Sequence, residues 1–113
     1  MKKLAVMYLR LSRDDGEEIE SNSISSQREL IKAYGKQHGL NISCEYVDDG
    51  VSGATFNRPS FKRMMGDLEK GKIETIVVKD LSRFGRDYIE TGKYLQKIFP
   101  EKKVRFISIN DNY

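Results

Sequence analysis

The sequence predicts an α/β fold in which a mainly parallel β-sheet is flanked by helices. Apolar runs of strand length alternate along the chain with segments whose apolar residues recur at helical spacing. This alternation favours parallel strands, because each helix carries the chain back to the end of the sheet where the preceding strand began. The 113 residues suffice for one domain with a single hydrophobic core.

The first predicted strand is central in the sheet. Leu4 to Leu9 is apolar without alternation, as expected of a strand buried on both faces. Arg10 and Ser12 follow it, and their side chains leave the same side because side chains alternate along an extended chain. The polar stretch from Arg13 to Asn22 predicts a loop.

A first helix is predicted by an apolar stripe and by end signals. Ser26 and Glu29 have the spacing of a capping box, and Gly39 predicts the carboxyl end. Gln27 is placed in the first turn, close to the positive end of the helix dipole. The only histidine, His38, lies in the last turn and is predicted to cap it. The stripe consists of Ile24, Leu30, Ile31 and Tyr34.

The second strand and helix follow the same logic. Asn41 to Val47 reads as a strand along which Cys44 alternates together with Ile42 and Tyr46, so Cys44 is predicted to be a buried core thiol. Asp48 and Asp49 end this strand. Pro59 suits the first position of a helix, which Gly71 ends. The stripe of that helix is Phe61, Met64, Met65 and Leu68.

The last third of the chain repeats the pattern. Ile73 to Val78 predicts a third strand, which runs into a turn containing Arg83 and Arg86. Asp87 and Glu90 have capping-box spacing and predict a third helix that ends at Pro100. Val104 to Ile109 predicts a fourth strand.

Charge and cysteine content restrict the class of protein. The formal net charge is +3, and five acidic residues fall in one loop, so the rest of the chain is more basic than the total. This balance permits nucleic acid as a partner without requiring it. A single cysteine excludes an internal disulfide. With no signal peptide and no membrane-length apolar run, we expect a soluble, cytoplasmic protein that contacts no membrane. The acidic residues are Asp14, Asp15, Glu17, Glu18 and Glu20.

Arginines follow three of the predicted strands. Arg10 follows the first, Arg58 lies in the turn after the second, and Arg83 and Arg86 follow the third, one helical turn apart. The carboxyl ends of parallel strands meet at the edge of the sheet where ligands bind. Guanidinium groups are planar, permanently charged and matched to phosphate oxygens. Their convergence on the hydroxyl of Ser12 would indicate a site for a phosphate ester.

Other chemistries lack their residues. The chain has no glycine-rich phosphate loop with lysine, no His/Cys cluster at metal-ligand spacing, and a histidine badly placed for a hydrolase triad. Asp48, Asp49 and Asp80 would hold Mg²⁺ if they met, but such a site would not explain the arginines. The chemistry that fits is attack by serine on a phosphodiester, with arginines stabilising the transition state. Asp48 and Gln27 are the candidates for orienting the hydroxyl or an arginine.

Together these segments resemble the catalytic domain of the serine recombinases, the resolvase/invertase family, and most closely its large transposase and phage-integrase members. The matches occur in order and cover nearly the whole chain. They are Tyr8-Leu9-Arg10-Leu11-Ser12, Ser26-Gln27-Arg28, Asp48-Asp49-Gly50-Val51-Ser52-Gly53, Asn57-Arg58-Pro59-Ser60-Phe61 and Leu81-Ser82-Arg83-Phe84-Gly85-Arg86-Asp87.

The resemblance implies a resolvase-like three-layer sandwich and assigns roles. Ser12 would be the nucleophile that forms a 5′-phosphoserine link to double-stranded DNA and releases a 3′-hydroxyl. The phosphate clamp would be Arg10, Arg83 and Arg86, closed by Arg58, while Gln27 and Asp48 match polar active-site positions. The family uses no metal, nucleotide or small-molecule substrate. It often has aspartate where this chain has Ser82, which leaves no carboxylate role at that position.

The resemblance also bears on domain organisation. Residues 1–113 would form an N-terminal catalytic domain that stops before the long helix used for dimer and tetramer assembly and before the DNA-recognition domains. The residues leave two alternative functions open. One is a receiver-like phospho-acceptor domain, which uses residues of the type of Asp48, Asp49 and Lys79. The other is a non-catalytic DNA-binding or assembly module in which the arginines hold backbone phosphates.

Overall fold

Among the residues that the structure describes, four parallel strands form one sheet, in which the first strand along the chain lies between the second and the third, and the fourth lies beside the third. A computed structural model describes residues 4–11, 23–49, 59–80 and 92–111. The strands are β1 (Leu4–Leu11), β2 (Ile42–Asp49), β3 (Ile73–Val78) and β4 (Arg105–Ser108). All four agree with the predicted strands to within two residues at each end.

Helices cover both faces of this sheet, which confirms the three-layer α/β architecture. On one face, α1 (Ile24–His38) packs Ile31 against Met7 and Leu9 of β1. On the other face, α2 (Pro59–Glu69) and a helical segment at residues 92–101, α3, pack against the alternate side chains of the strands. That second cluster includes Val6, Tyr8, Tyr46, Phe61, Met64, Leu68, Ile76, Phe99 and Phe106.

Strand β1 is central and almost completely buried, as its unbroken apolar run predicts. It continues two residues beyond the predicted end, so Arg10 lies inside the strand rather than in the following turn. Its register with β2 runs to Leu11 opposite Asp49, whereas its register with β3 stops at Met7 opposite Val77. The carboxyl end of β1 therefore has a strand neighbour on one side only among the described residues.

The amino end of α1 corrects the predicted capping box. The cap is Ser23, whose Oγ accepts a hydrogen bond from the backbone N–H of Ser26 at 3.1 Å. Ser26 is thus the third residue of the helix instead of its cap, because the helix starts at Ile24 and takes the preceding serine as its side-chain acceptor. The predicted end at Gly39 is confirmed, with a φ of 71° that favours glycine.

Helix α3 departs from α-helical geometry before Pro100. Residues Tyr94–Ile98 form a π-helical turn, and the N–H of Phe99 bonds to the carbonyl of Tyr94. Proline has no N–H and its ring crowds the carbonyl four residues earlier, so the turn before it widens. The helix ends at Glu101, one residue after the predicted stop. The predicted capping box at Asp87 and Glu90 lies outside the described residues.

Cys44 is exposed, and the prediction of a buried thiol is wrong. Alternation along β2 would bury it only if an element covered that part of the strand. β2 is at the edge of the sheet, and α2 reaches back along it as far as Tyr46, whose Oη donates to Asp67 Oδ2 at 2.5 Å. On the face of β2 that α2 covers, the buried residues therefore end at Tyr46, whereas Ile42 packs on the opposite face.

None of the helices that the structure describes has the length and apolar character needed to cross a membrane.

Candidate active site

Two charged residues lie side by side at the carboxyl edge of the sheet. Arg10 of β1 and Asp48 of β2 are register partners, and register partners in a parallel pair share a face. Arg10 is fully buried and Asp48 is 5% exposed, which is unusual for both residue types. Tyr8 precedes Arg10 by two residues, so both belong to the face covered by α2.

Gln27 reaches the same strand from the opposite layer. Its Nε2 donates to the carbonyl of Arg10 at 2.9 Å, and its Oε1 accepts from the Arg10 N–H at 3.3 Å. The side-chain amide thus pairs with the backbone as a peptide group of a neighbouring strand would, at a point beyond the last β1–β3 register pair. A fully buried glutamine in the first turn of α1 is explained by this pairing.

Asp48 accepts hydrogen bonds from three donors on two elements. The hydroxyl of Tyr8 donates to Oδ2 at 2.8 Å. The backbone N–H groups of Ser60 and Phe61, in the first turn of α2, donate to Oδ1 and Oδ2, both at 3.0 Å. A carboxylate is stabilised at this position because the free N–H groups and the dipole of a helix amino end both favour negative charge.

Ser60 adds a second connection between the same elements. Its hydroxyl donates to the carbonyl of Val47 at 2.5 Å, so both the side chain and the backbone of Ser60 bind the end of β2. Sequence reasoning did not assign roles to Tyr8 or Ser60. The signals were present, since Tyr8 is two residues from Arg10 and Ser60 follows the proline that begins α2.

Arg28 belongs to one of the motifs that resemble the serine recombinases, but its side chain faces away from this edge. Its guanidinium forms a two-point ion pair with Glu45, at 2.7 Å from Nε to Oε2 and 3.2 Å from Nη2 to Oε1. The hydrogen bond to Glu45 raises the pKa of Arg28 above its usual value. The pair lies on the surface across α1 and β2, so it contributes to their contact and not to the site.

The structure brings together three of the seven predicted site residues, Arg10, Gln27 and Asp48. The other four, Ser12, Arg58, Arg83 and Arg86, lie outside the described residues, as does the side chain of Asp49. Among the described residues no three carboxylate, imidazole or thiol groups are close enough to hold a metal ion.

Comparison with known proteins identifies the family. The sequence model described as "Resolvase, N terminal domain" matches residues 5–113. The chain belongs to this family. Membership makes it a catalytic domain of the site-specific recombinases, and it confirms the resemblance seen in the motifs. A protein of Bacillus phage phi105, "Uncharacterized immunity region protein 3", is 35% identical over 65 residues, which are 58% of this chain and 78% of that protein.

Solved structures support the same assignment for this resolvase-type domain. The N-terminal catalytic domain of TP901-1 integrase superposes with a TM-score of 0.84 at 32% identity, covering 98% of this chain and 79% of the other. A resolvase family site-specific recombinase from Streptococcus pneumoniae gives a TM-score of 0.78 at 31% identity, covering 99% and 75%. An IS607-like serine recombinase, ISC1926 TnpA, at 20% identity and a TM-score of 0.75, shares the fold.

Proposed function

We propose that this domain cleaves and rejoins double-stranded DNA by serine transesterification. The Oγ of Ser12 forms a bond to a backbone phosphorus, and the bond from that phosphorus to the 3′-oxygen breaks. The serine gives up its proton, and the departing 3′-oxygen takes one up to become a hydroxyl. The resulting 5′-phosphoserine keeps the ester bond energy, so a 3′-hydroxyl of another strand can reverse the step without a nucleotide or a metal.

The buried guanidinium of Arg10 carries this proposal. Arginine does not lose its charge in proteins, so the edge of the sheet holds a permanent cation two residues before Ser12. Gln27 secures the backbone of Arg10 from one layer. A preorganised cation of this kind stabilises the charge that develops on a phosphate in the transition state, without reorganising during the reaction.

The remaining roles follow the resemblance and the contacts. Arg10, Arg83 and Arg86 contact the scissile phosphate, and Arg58 completes the contacts. Gln27 and Asp48 act through neighbouring groups, because the hydrogen-bonding atoms of both are engaged with the protein. We propose that residues 1–113 are the catalytic part of a longer recombinase whose dimers and tetramers assemble on DNA.

The receiver-like alternative loses its main support in this geometry. A phospho-acceptor carboxylate must be free to attack phosphorus, whereas both oxygens of Asp48 are held by hydrogen bonds from Tyr8 and from two N–H groups of α2. The same three donors occupy most of the about four acceptor sites of the carboxylate, so Asp48 is a poor partner for Asp49 and Asp80 around Mg²⁺.

Trapping of a covalent adduct tests the proposal. The intact recombinase is incubated with a DNA site nicked near the exchange point, so that cleavage releases a short fragment and cannot be reversed. We expect a protein–DNA adduct that disappears in Ser12→Ala, because that change removes the nucleophile. Ser25→Ala, at an exposed position in the first turn of α1, is the matched control and should form the adduct normally.

Two outcomes would overturn the proposal. Adduct formation that persists in Ser12→Ala would place the nucleophile elsewhere, and the absence of any adduct with the intact protein would favour a DNA-binding module. The 113-residue domain alone should form little adduct, since a net charge of +3 supports few net phosphate contacts. Efficient cleavage by that domain would instead show that assembly is not required.

A further inference from the structure

Helices α2 and α3 end in the same backbone motif. In each, two N–H groups beyond the helix donate to carbonyls of its last turn, and the first residue past the cap has a left-handed backbone, which defines the Schellman motif. The left-handed residue is Gly71 after α2, with a φ of 76°, and Lys103 after α3, with a φ of 58°. The hydrogen bonds run from Gly71 to Leu68 at 2.9 Å, from Lys72 to Asp67 at 3.1 Å, from Lys103 to Pro100 at 3.1 Å and from Val104 to Phe99 at 2.8 Å.

Lysine is a costly residue at the left-handed position. This conformation brings the Cβ of an L-residue close to the following carbonyl oxygen, a contact that glycine lacks. Gly39, after α1, also has a left-handed φ of 71°, so α1 and α2 both use glycine where α3 uses lysine. Among the described residues, Lys103 is the only one other than glycine with a positive φ. The backbone motif gives no reason for a lysine, so the reason must lie in its side chain.

The ends of α2 and α3 lie beside each other at the amino edge of the sheet. The Nζ of Lys102 is 3.0 Å from Oε2 of Glu69, which joins the two helix ends directly. Thr75 of β3 and Arg105 of β4 are register partners, and Lys72 and Lys102 lie three residues before them. Four lysines are therefore gathered in one place. We call this group the lysine edge, and its members are Lys70, Lys72, Lys102 and Lys103.

The lysine edge carries more positive than negative charge. All four lysines are exposed, and among the described residues only Lys102 has a carboxylate within ion-pair distance. The carboxylates at the same helix ends are Glu69, which is the partner of Lys102, and Glu101. Glu74 is close in sequence but lines a cavity beside Gly39, on the side of α1. The unpaired ammonium groups are thus available to an anion from outside the domain.

Helix dipoles explain part of this charge but do not explain Lys103. The carboxyl end of a helix carries a partial negative charge that nearby cations stabilise. At the end of α2, Lys70 and Lys72 supply such cations on either side of Gly71, and the motif keeps its glycine. Lys102 supplies the same stabilisation to α3 without a left-handed backbone. The additional cation at Lys103 is therefore best explained by an anionic partner.

We propose that the lysine edge binds the sugar-phosphate backbone of DNA, at phosphates other than the one that is cleaved. The inference rests on the proposed function, because that function brings DNA to this domain. Lysine side chains contact the phosphates of a duplex without reading its sequence. Arg10 lies at the opposite, carboxyl edge of the sheet. The six residues of β3 separate the two edges by about 20 Å, so one phosphate does not contact both.

The salt dependence of DNA binding tests this contact in the intact recombinase. Binding of a fluorescein-labelled duplex of random sequence is followed by anisotropy over a series of NaCl concentrations. All proteins carry Ser12→Ala, so that cleavage does not contribute. Lys103→Gln should reduce the slope of log K against log salt concentration by about 1, the value for one lost phosphate contact. Lys103→Arg keeps the charge and should keep the slope. Lys36→Gln removes an exposed lysine of α1, in the other helical layer, and is the matched control with an unchanged slope.

Lys103→Gly separates the charge from the backbone conformation. It should weaken DNA binding as much as Lys103→Gln, because both remove the ammonium group. Its thermal unfolding midpoint should nevertheless be higher than that of Lys103→Gln, because glycine adopts a φ of 58° without the Cβ contact. A domain that becomes more stable while it binds DNA less well would show that lysine is kept at this position for binding.

Three results would overturn the proposal. Equal slopes for Lys103→Gln and Lys36→Gln would mean that the lysine edge does not contact DNA. A reduced slope in Lys103→Arg would mean that the charge is not what matters. A lower unfolding midpoint for Lys103→Gly than for Lys103→Gln would remove the backbone cost on which the inference depends. Failure of the proposed function has a different signature, since it would appear as a covalent adduct that persists in Ser12→Ala, whatever the slopes.

Discussion

Replacement of Gln27 by methionine should destabilise the domain strongly, although the two side chains have similar length and volume. Gln27 is fully buried, and its amide satisfies both the N–H and the carbonyl of Arg10. Methionine fills the space and offers no comparable donor or acceptor. The loss therefore comes from hydrogen bonding and not from a cavity.

The contacts set the size of the effect. A buried polar group left without a partner costs about 1–3 kcal/mol, so two such groups cost about 2–6 kcal/mol. The lower part of that range applies, because the bond from the Arg10 N–H is long at 3.3 Å while the other is 2.9 Å. We expect a loss of about 2–4 kcal/mol, a large part of the about 5–15 kcal/mol that stabilises a typical domain.

Urea unfolding of the 113-residue domain, followed by circular dichroism, measures this loss. A slope of about 1–3 kcal/mol per molar urea converts the expected change into a midpoint lower by about 1 M or more. Gln37→Met, the same substitution at an exposed position of α1, should change stability by less than about 0.5 kcal/mol. Equal midpoints for Gln27→Met and Gln37→Met would refute the reasoning.

Four further outcomes are expected. Arg10→Lys should slow cleavage about 100-fold or more, because lysine keeps the charge but loses the planar fork of the guanidinium. DNA binding in a gel shift should change far less. A normal rate of cleavage would mean that Arg10 only contacts the phosphate backbone of DNA. Adduct formation should be undiminished in EDTA, and a loss that Mg²⁺ restores would instead support a carboxylate metal site. The exposed Cys44 thiol should react with an aromatic disulfide reagent in the native protein, and reaction only after unfolding would contradict its exposure. The pKa of Tyr46 is raised, mainly by burial and also by the hydrogen bond to Asp67. The tyrosine therefore ionises in the unfolded chain at a lower pH than in the folded one. The free energy of unfolding should then fall as the pH rises above about 10. Tyr46→Phe should remove that part of the decline, and identical alkaline pH dependence in both proteins would exclude it.

The fold could be predicted from the sequence because its signals are local. The unbroken apolar run of β1, the proline that begins α2 and the glycines that end α1 and α2 act within a few residues of themselves. The cap of α1 was a local error, since Ser23 and not Ser26 takes that role, but the error at Cys44 arose where a distant element decides the outcome. Cys44 alternates with core residues, yet α2 does not extend to cover it.

The candidate site divides in the same way. The recurrence of arginines near the ends of predicted strands, together with the serine after β1, is visible in the sequence and led to the prediction of phosphate chemistry. What Gln27 and Asp48 contact was not visible. Gln27 bonds to a strand residue 17 positions earlier, and Asp48 to a tyrosine 40 positions earlier.

The sequence by itself determined the order of strands and helices along the chain, the end of the sheet at which Arg10 and Asp48 lie, and the family. These depend on side-chain period and on the chain direction shared by parallel strands. Tertiary structure alone decided that Asp48 lies beside Arg10 and binds the start of α2. It also decided that the side-chain amide of Gln27 pairs with the backbone of β1 beyond the last β1–β3 register pair. The physical reason is that strand register and helix placement choose the partner of a buried polar group, and one residue of slip would turn each side chain to the other face of the sheet.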